Sequence, residues 1–269
     1  MKVIYFDICS IPLFLMILII CHTRRMTKGK ANQMFILVVT VSLISAIADL
    51  GMEIPNSMLP MSGTGYFICT LSTYLYLAVR NGNNAILLLF LLMLTRTTSL
   101  IRKKWIRFAF WLPYMVLLLL LAQNPFTHRV FTITAETGYA RGPLMMAIYA
   151  IAMVYGLTGL VYCIYCRRYL PANKWAALLT CYLLAHAAVV IQFFHPELLV
   201  EMFCTALGEM LIMLSIMRPE ERMDSAVGML SWASYRSDIR NIALSGEHVR
   251  IVVIRLLNCL EIRNYVGDH

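Results

Sequence analysis

The chain has 269 residues, of which 60% are hydrophobic and only 14% charged, and its mean hydropathy is +0.72. A soluble domain averages about 25% charged residues, so this balance excludes an ordinary globular protein. The net charge of +9 would suit a nucleic-acid binder, but Lys and Arg fall in short clusters between apolar runs. Membrane orientation produces that pattern, so no nucleic acid is expected as a partner.

A bilayer core about 30 Å thick needs roughly 20 apolar residues of helix. Seven stretches meet the need, near residues 4–22, 33–53, 67–95, 108–122, 143–166, 175–194 and 199–217. The first is read as a retained helix and not a signal peptide. Only Lys2 precedes it, Arg24 and Arg25 follow it, and no small-x-small cleavage site comes before them. The third is overlong for one upright crossing, which predicts either a tilted helix or a span whose part around Arg80 to Asn84 faces a cavity. The fourth is short and begins near Trp105 and Trp111, residues that suit a membrane interface.

Arg24, Arg25, Lys28 and Lys30 follow the first run, Arg96 to Arg107 the third, and Arg167, Arg168 and Lys174 the fifth; the alternate loops carry only Arg129 and Arg141. Basic residues collect on the cytoplasmic side, which predicts seven crossings with the N-terminus outside and the C-terminus inside. Of the outer loops, 54–66 is rich in Pro and Gly. The longest, 123–142, contains the alternating, β-branched Val130 to Thr134 ahead of Gly138. That pattern fits a short hairpin over the mouth of the bundle or an ordinary surface loop. The eight cysteines, including the Cys163/Cys166 pair, lie mostly in apolar segments and read as packing residues; no metal is expected.

Ionisable groups in spans cost about 2.5–3.5 kcal/mol each on insertion scales, so they face partners or a cavity. Asp49 and Glu53 share a face of span two, and Arg80, Asn81, Asn83 and Asn84 sit mid-span in span three. His186 and Gln192 lie in span six, Glu201 and Glu209 in span seven. An interior cluster of Asp49, Arg80, Asn84 and Glu209, bordering a ligand pocket, is expected; a purely structural ion pair fixing helix register competes with it. A retinal Schiff base is excluded because spans two to seven hold no lysine. Aspartyl proteolysis is excluded because Asp49 has only Asp7 as an aspartate partner. A transporter stays open through the RNGNN stretch at 80–84, readable as a helix break, and a ligand-free anchor or scaffold on anionic lipid stays open too.

Beyond Arg218 and Pro219 the pattern changes. Residues 229–244 read as an amphipathic helix, 249–257 as a strand and 260–265 as the start of another helix. One strand and about 45 residues are too few to bury a core unaided.

The runs IYFDICSIPLFLMIL, ADLGME and FTHRVFTITAETGYARGPL resemble the multispan sensor region of membrane-bound bacterial cyclic-di-GMP signalling proteins, over most of residues 1–222. From Asp224 the segment DSAVGMLSW resembles the opening of a GGDEF (diguanylate cyclase) domain, matching at Asp224, Gly228 and Leu230. In the next landmark, IRLLNCLEIRN, Arg255 replaces the family's metal-binding aspartate and Arg263 its guanine-contacting asparagine. An arginine repels the cations that two-metal chemistry requires.

The resemblance implies an all-α membrane domain at 1–218, a linker at 219–223 and a partial, degenerate GGDEF-like α+β fragment at 224–269. The chain, a truncated product or the front of a longer protein, is then a signalling module of the bacterial inner membrane that makes no cyclic-di-GMP as it stands. GTP and Mg would belong only to an intact family member, and no cofactor is expected here. The implied partners are the bilayer, a ligand of unknown identity, and a second copy or a cyclic-di-GMP enzyme.

Overall fold

The computed structural model describes residues 5–23, 30–95, 97–98, 103–195 and 198–216, together with Tyr235, Arg236 and Ile239, which are helical. Apart from those three positions the expected tail elements, with Asp224, Gly228, Arg255 and Arg263, lie outside the described residues. Seven helices are described: α1 (Tyr5–Thr23), α2 (Lys30–Ser57), α3 (Gly63–Leu94), α4 (Lys104–Thr127), α5 (Met145–Tyr165), α6 (Ala172–Phe194) and α7 (Glu201–Ile216). Between α4 and α5 stand β1 (Phe131–Thr134) and β2 (Gly138–Arg141).

Helices α1 to α6 are long and apolar enough to cross a membrane, which marks the chain as a multi-pass membrane protein. The seventh has 16 residues, about 24 Å of helix, and falls short of that length. The fourth exceeds its expected extent, 24 residues where the hydropathy predicts 15, because Trp105, Arg107 and Asn124 extend the helix beyond the apolar run without breaking it. The third is one unbroken helix of 32 residues, about 48 Å long, so the helix break at 80–84 is corrected.

Helix contacts close a ring in the order α1–α2–α3–α5–α6–α7, with α7 returning to α1 and α4 lying outside on α3 and α5. Large apolar side chains face outward on every side, among them Ile19, Leu119, Val161 and Val190. Such a surface suits lipid, not water. Inside, small residues let helices approach: a Cβ on Gly159 would lie 2.5 Å from the Tyr182 ring, and one on Gly156 2.9 Å from His186 Nε2. Gly156 and Gly159 of α5 thus receive side chains four residues apart on α6, the small-residue packing that serves where no hydrophobic force drives helices together.

The expected hairpin is present. β1 and β2 pair antiparallel, with Phe131 opposite Arg141 and Thr134 opposite Gly138. Gly138 holds φ +76°, a left-handed value that favours glycine. The α2–α3 turn is pinned to the hairpin by Met61 N–H donating to Ala135 O at 2.7 Å, and Asn56 Oδ1 accepts from Tyr139 N at 2.9 Å. At the opposite end Trp175 Nε1 donates to Cys163 O at 3.1 Å, and Arg167 stacks over the Trp175 ring. The basic residues Lys103, Lys104, Arg107, Arg167, Arg168 and Lys174 belong to that second end. All seven cysteines among the described residues are free.

Candidate functional site

Helical spacing brings the site together. On α3, Thr73, Tyr76, Leu77 and Arg80 recur at three- and four-residue steps and form one stripe. Asp49, Met52 and Glu53 do the same on α2, and Met145, Tyr149 and Met153 on α5. These stripes, with Tyr139 and Arg141 of β2 and the C-terminal turns of α6, line a cavity of about 290 Å³ inside the ring. The hairpin lies at one end of it, through Tyr139 and Arg141.

Arg80 lies on this lining, and its guanidinium forms a fork with Glu201, the first residue of α7: Nε donates to Oε1 at 2.7 Å and Nη2 to Oε2. Both side chains are almost buried, and the Arg80 guanidinium also stacks on Tyr76, 5.5 Å from its centroid. Asp49 is 3% exposed and its Oδ1 has no hydrogen-bond partner among the described residues. Asp7, Glu53, Arg80 and Glu201 are the charged groups near enough to act on it. At the rim Arg141 stacks over Tyr149 and lies near the Tyr139 phenol. Burial pushes the Tyr139 phenol well up from its ordinary value, with Arg141 pulling weakly the other way, so Tyr139 is a neutral hydroxyl at physiological pH.

A second polar layer lies about 10 Å deeper along α2, seven residues at 1.5 Å each. There Ser42 Oγ accepts from Asn83 Nδ2 at 2.7 Å and donates to Glu209 Oε1 at 2.5 Å. Glu209 is 1% exposed. The single expected cluster is therefore two. Asp49 and Arg80 meet at the cavity, while Glu209 joins α2 and α3 through Ser42 and Asn83. Asn84 is half-buried and lines no part of the cavity; Asn83, one position earlier, faces the deeper layer. His186 is not at the cavity either: its Nδ1 contacts Tyr182 O at 2.6 Å and its ring fills the space beside Gly156.

The RNGNN stretch is accounted for residue by residue. Arg80 faces the cavity, Asn81 Nδ2 donates back to Leu77 O at 2.7 Å, Gly82 lets the Tyr114 ring approach, and Asn83 serves the deeper layer. Sequence reasoning placed Glu201 in span seven but did not pair it with Arg80, and it missed Asn124. Asn124 is 1% exposed; its Oδ1 accepts from Val130 N at 2.8 Å and Phe131 N at 3.3 Å, and its Nδ2 donates to Phe131 O at 3.1 Å. A polar residue at the end of an apolar run, just ahead of a strand pattern, was the available signal.

Among the described residues no group of three His, Cys, Asp or Glu side chains is placed to hold a metal ion. The chain matches no family model, no curated protein and no solved structure.

Proposed function

We propose that this protein is a membrane-embedded sensory module in which a ligand in the cavity acts on α7 and, through it, on the cytoplasmic C-terminal region. One observation carries the reading. Arg80 lines the cavity while its fork holds Glu201, the residue that opens the last helix before the tail. A molecule that competes for Arg80, or shifts it, changes what holds α7, and Glu209 ties the same helix to α2 at the deeper layer. Packed helices of this kind have discrete arrangements, so a small change at a buried pair becomes a displacement of a whole element.

The proposal includes seven crossings with the N-terminus outside, in a bacterial inner membrane. The short α7 is the seventh, and the hairpin end, whose loops carry only Arg129 and Arg141, faces outward. It also includes a cyclic-di-GMP output, supported by the resemblance of the tail from Asp224 onward. With Arg255 and Arg263 at positions that need a carboxylate and an asparagine, the tail acts as a relay to a second copy or to a cyclic-di-GMP enzyme, and not as a cyclase.

The test expresses the full chain in bacteria and measures the intracellular cyclic-di-GMP pool, alongside GTP turnover by the purified protein with magnesium. The expected result is a changed pool, a different pool with a folded Arg80→Met variant, and no turnover in vitro. A pool indifferent to the chain removes the cyclic-di-GMP output. One that responds to the chain but not to Arg80→Met removes Arg80 from the signal path.

A further inference from the structure

We infer that the cavity between α2, α3, β2, α5 and α6 binds a small organic cation, an ammonium group on an apolar body, with Asp49 as its counter-ion. This deepens the sensory reading and rests on it. Asp49 is buried on the cavity lining, and its Oδ1 receives no hydrogen bond from the described residues. A buried carboxylate oxygen without a donor is costly, and a donor arriving with the ligand removes that cost.

Three of the neighbouring polar groups are engaged elsewhere. Arg80 spends its fork on Glu201, the Thr73 hydroxyl donates to Cys69 O at 2.7 Å, and Arg141 is stacked on Tyr149. Asp7, Glu53 and Glu201 are the carboxylates near Asp49, and Arg80, the cation near it, is already paired with Glu201. An anion entering here would meet Asp49 with the nearest arginine already paired. A neutral molecule without a donor would leave Asp49 as it is. A monocation answers both the charge and the missing donor.

The rest of the lining sets the body of the ligand. Met52, Met145, Met153 and Leu77 give an apolar, adaptable wall. The volume of about 290 Å³ stands at the lower end of small-molecule pockets, about 300–1,000 Å³, and suits an arylalkylamine or a short alkylammonium. Protonation of Asp49 is the competing way to remove its charge, and it predicts no preference for cations.

The experiment follows thermal unfolding of the purified full chain in detergent, read by a thiol-reactive fluorophore as the buried Cys69, Cys163 and Cys181 become accessible. The probes are 2-phenylethylamine and a series of n-alkylamines, with 2-phenylethanol and 3-phenylpropionate as neutral and anionic counterparts. The expected result is a rise in Tm of about 5 °C with saturating amine, none with the counterparts, and loss of the rise in Asp49→Asn. No rise with any amine, an equal rise with 2-phenylethanol, or an undiminished rise in Asp49→Asn overturns the inference. If Asp49→Asn does not fold, the discrimination by the parent chain among the three charge types decides. A fluorophore on Leu211→Cys of α7, read in parallel, separates this inference from the sensory reading. Amine binding that leaves α7 unmoved supports the cation site and removes the sensor. An α7 response to the neutral or anionic probe alone keeps the sensor and overturns the cation site.

Discussion

Arg80 is the cation that makes the polar layer at the cavity tolerable in a low-dielectric bundle. Its fork with Glu201 neutralises two buried charges at once, and removing one partner leaves the other uncompensated. Arg80→Met is therefore expected to destabilise the bundle by about 3–5 kcal/mol. The same change combined with Glu201→Gln should recover most of that loss, since no orphaned charge remains. Unfolding of the single and double variants in detergent checks this, and equal losses in both would mean the pair contributes only its packing. Asp49, Glu53 and Arg80 were legible in the sequence because an ionised side chain inside an apolar run always asks for a partner. Which partner was not legible. Arg80 meets Glu201 because α7 closes the ring back onto α1 and reaches the centre, an arrangement set by tertiary packing and not by span order. For the same reason one expected cluster became two layers, and a one-position shift on α3, about 100° of helix rotation, put Asn83 rather than Asn84 into the deeper one.

At the scale of elements, the hairpin shows how a connecting loop comes to cap one end of the cavity. Its β-branched alternation and Gly138 were visible in the sequence, but a two-stranded sheet is marginal alone, and what decides for it is the anchor beneath. Asn124, on the last turn of α4, satisfies two backbone N–H groups and one carbonyl of β1 and its approach. At the base of the hairpin, Gly142 N donates to Val130 O at 2.8 Å and Leu144 N to Arg129 O at 2.9 Å. Asn124→Leu keeps the branched shape but leaves three buried backbone groups without partners, at about 1–3 kcal/mol each. Hydrogen exchange of the amides at 129–142 should speed up at least tenfold, about 1.4 kcal/mol or more of lost protection. Asn124→Asp retains the acceptor oxygens and should change it less. Exchange confined to parent rates in the leucine variant would show that the hairpin is held by its contacts with the α2–α3 turn instead.

For the whole molecule, six of the helices followed from hydropathy alone, since length and composition decide whether a segment can cross a bilayer. The seventh is less determined. Glu201 and Glu209 each lower its apolarity, yet both point inward, so α7 is held by polar ties as much as by an apolar surface. Orientation depends on charge placement. The structure gathers Lys103, Lys104, Arg107, Arg167, Arg168 and Lys174 at the end opposite the hairpin, and Lys and Arg near span ends are retained on the cytoplasmic side. A cysteine placed at Glu136, exposed at the hairpin tip, should then react with a membrane-impermeant maleimide on intact cells, while one at Lys174 should react only after permeabilisation. Because Cys9 is exposed, the comparison belongs in a Cys9→Ser background. The reverse pattern would put the cavity mouth in the cytoplasm, where the ligand would be a metabolite and not an external signal. Labelling of both sites from outside would mean the described helices do not all cross. The expected pattern places the hairpin, the cavity and Asp49 toward the exterior and the end of α7 toward the cytoplasm, which is the geometry that transmission along α7 requires.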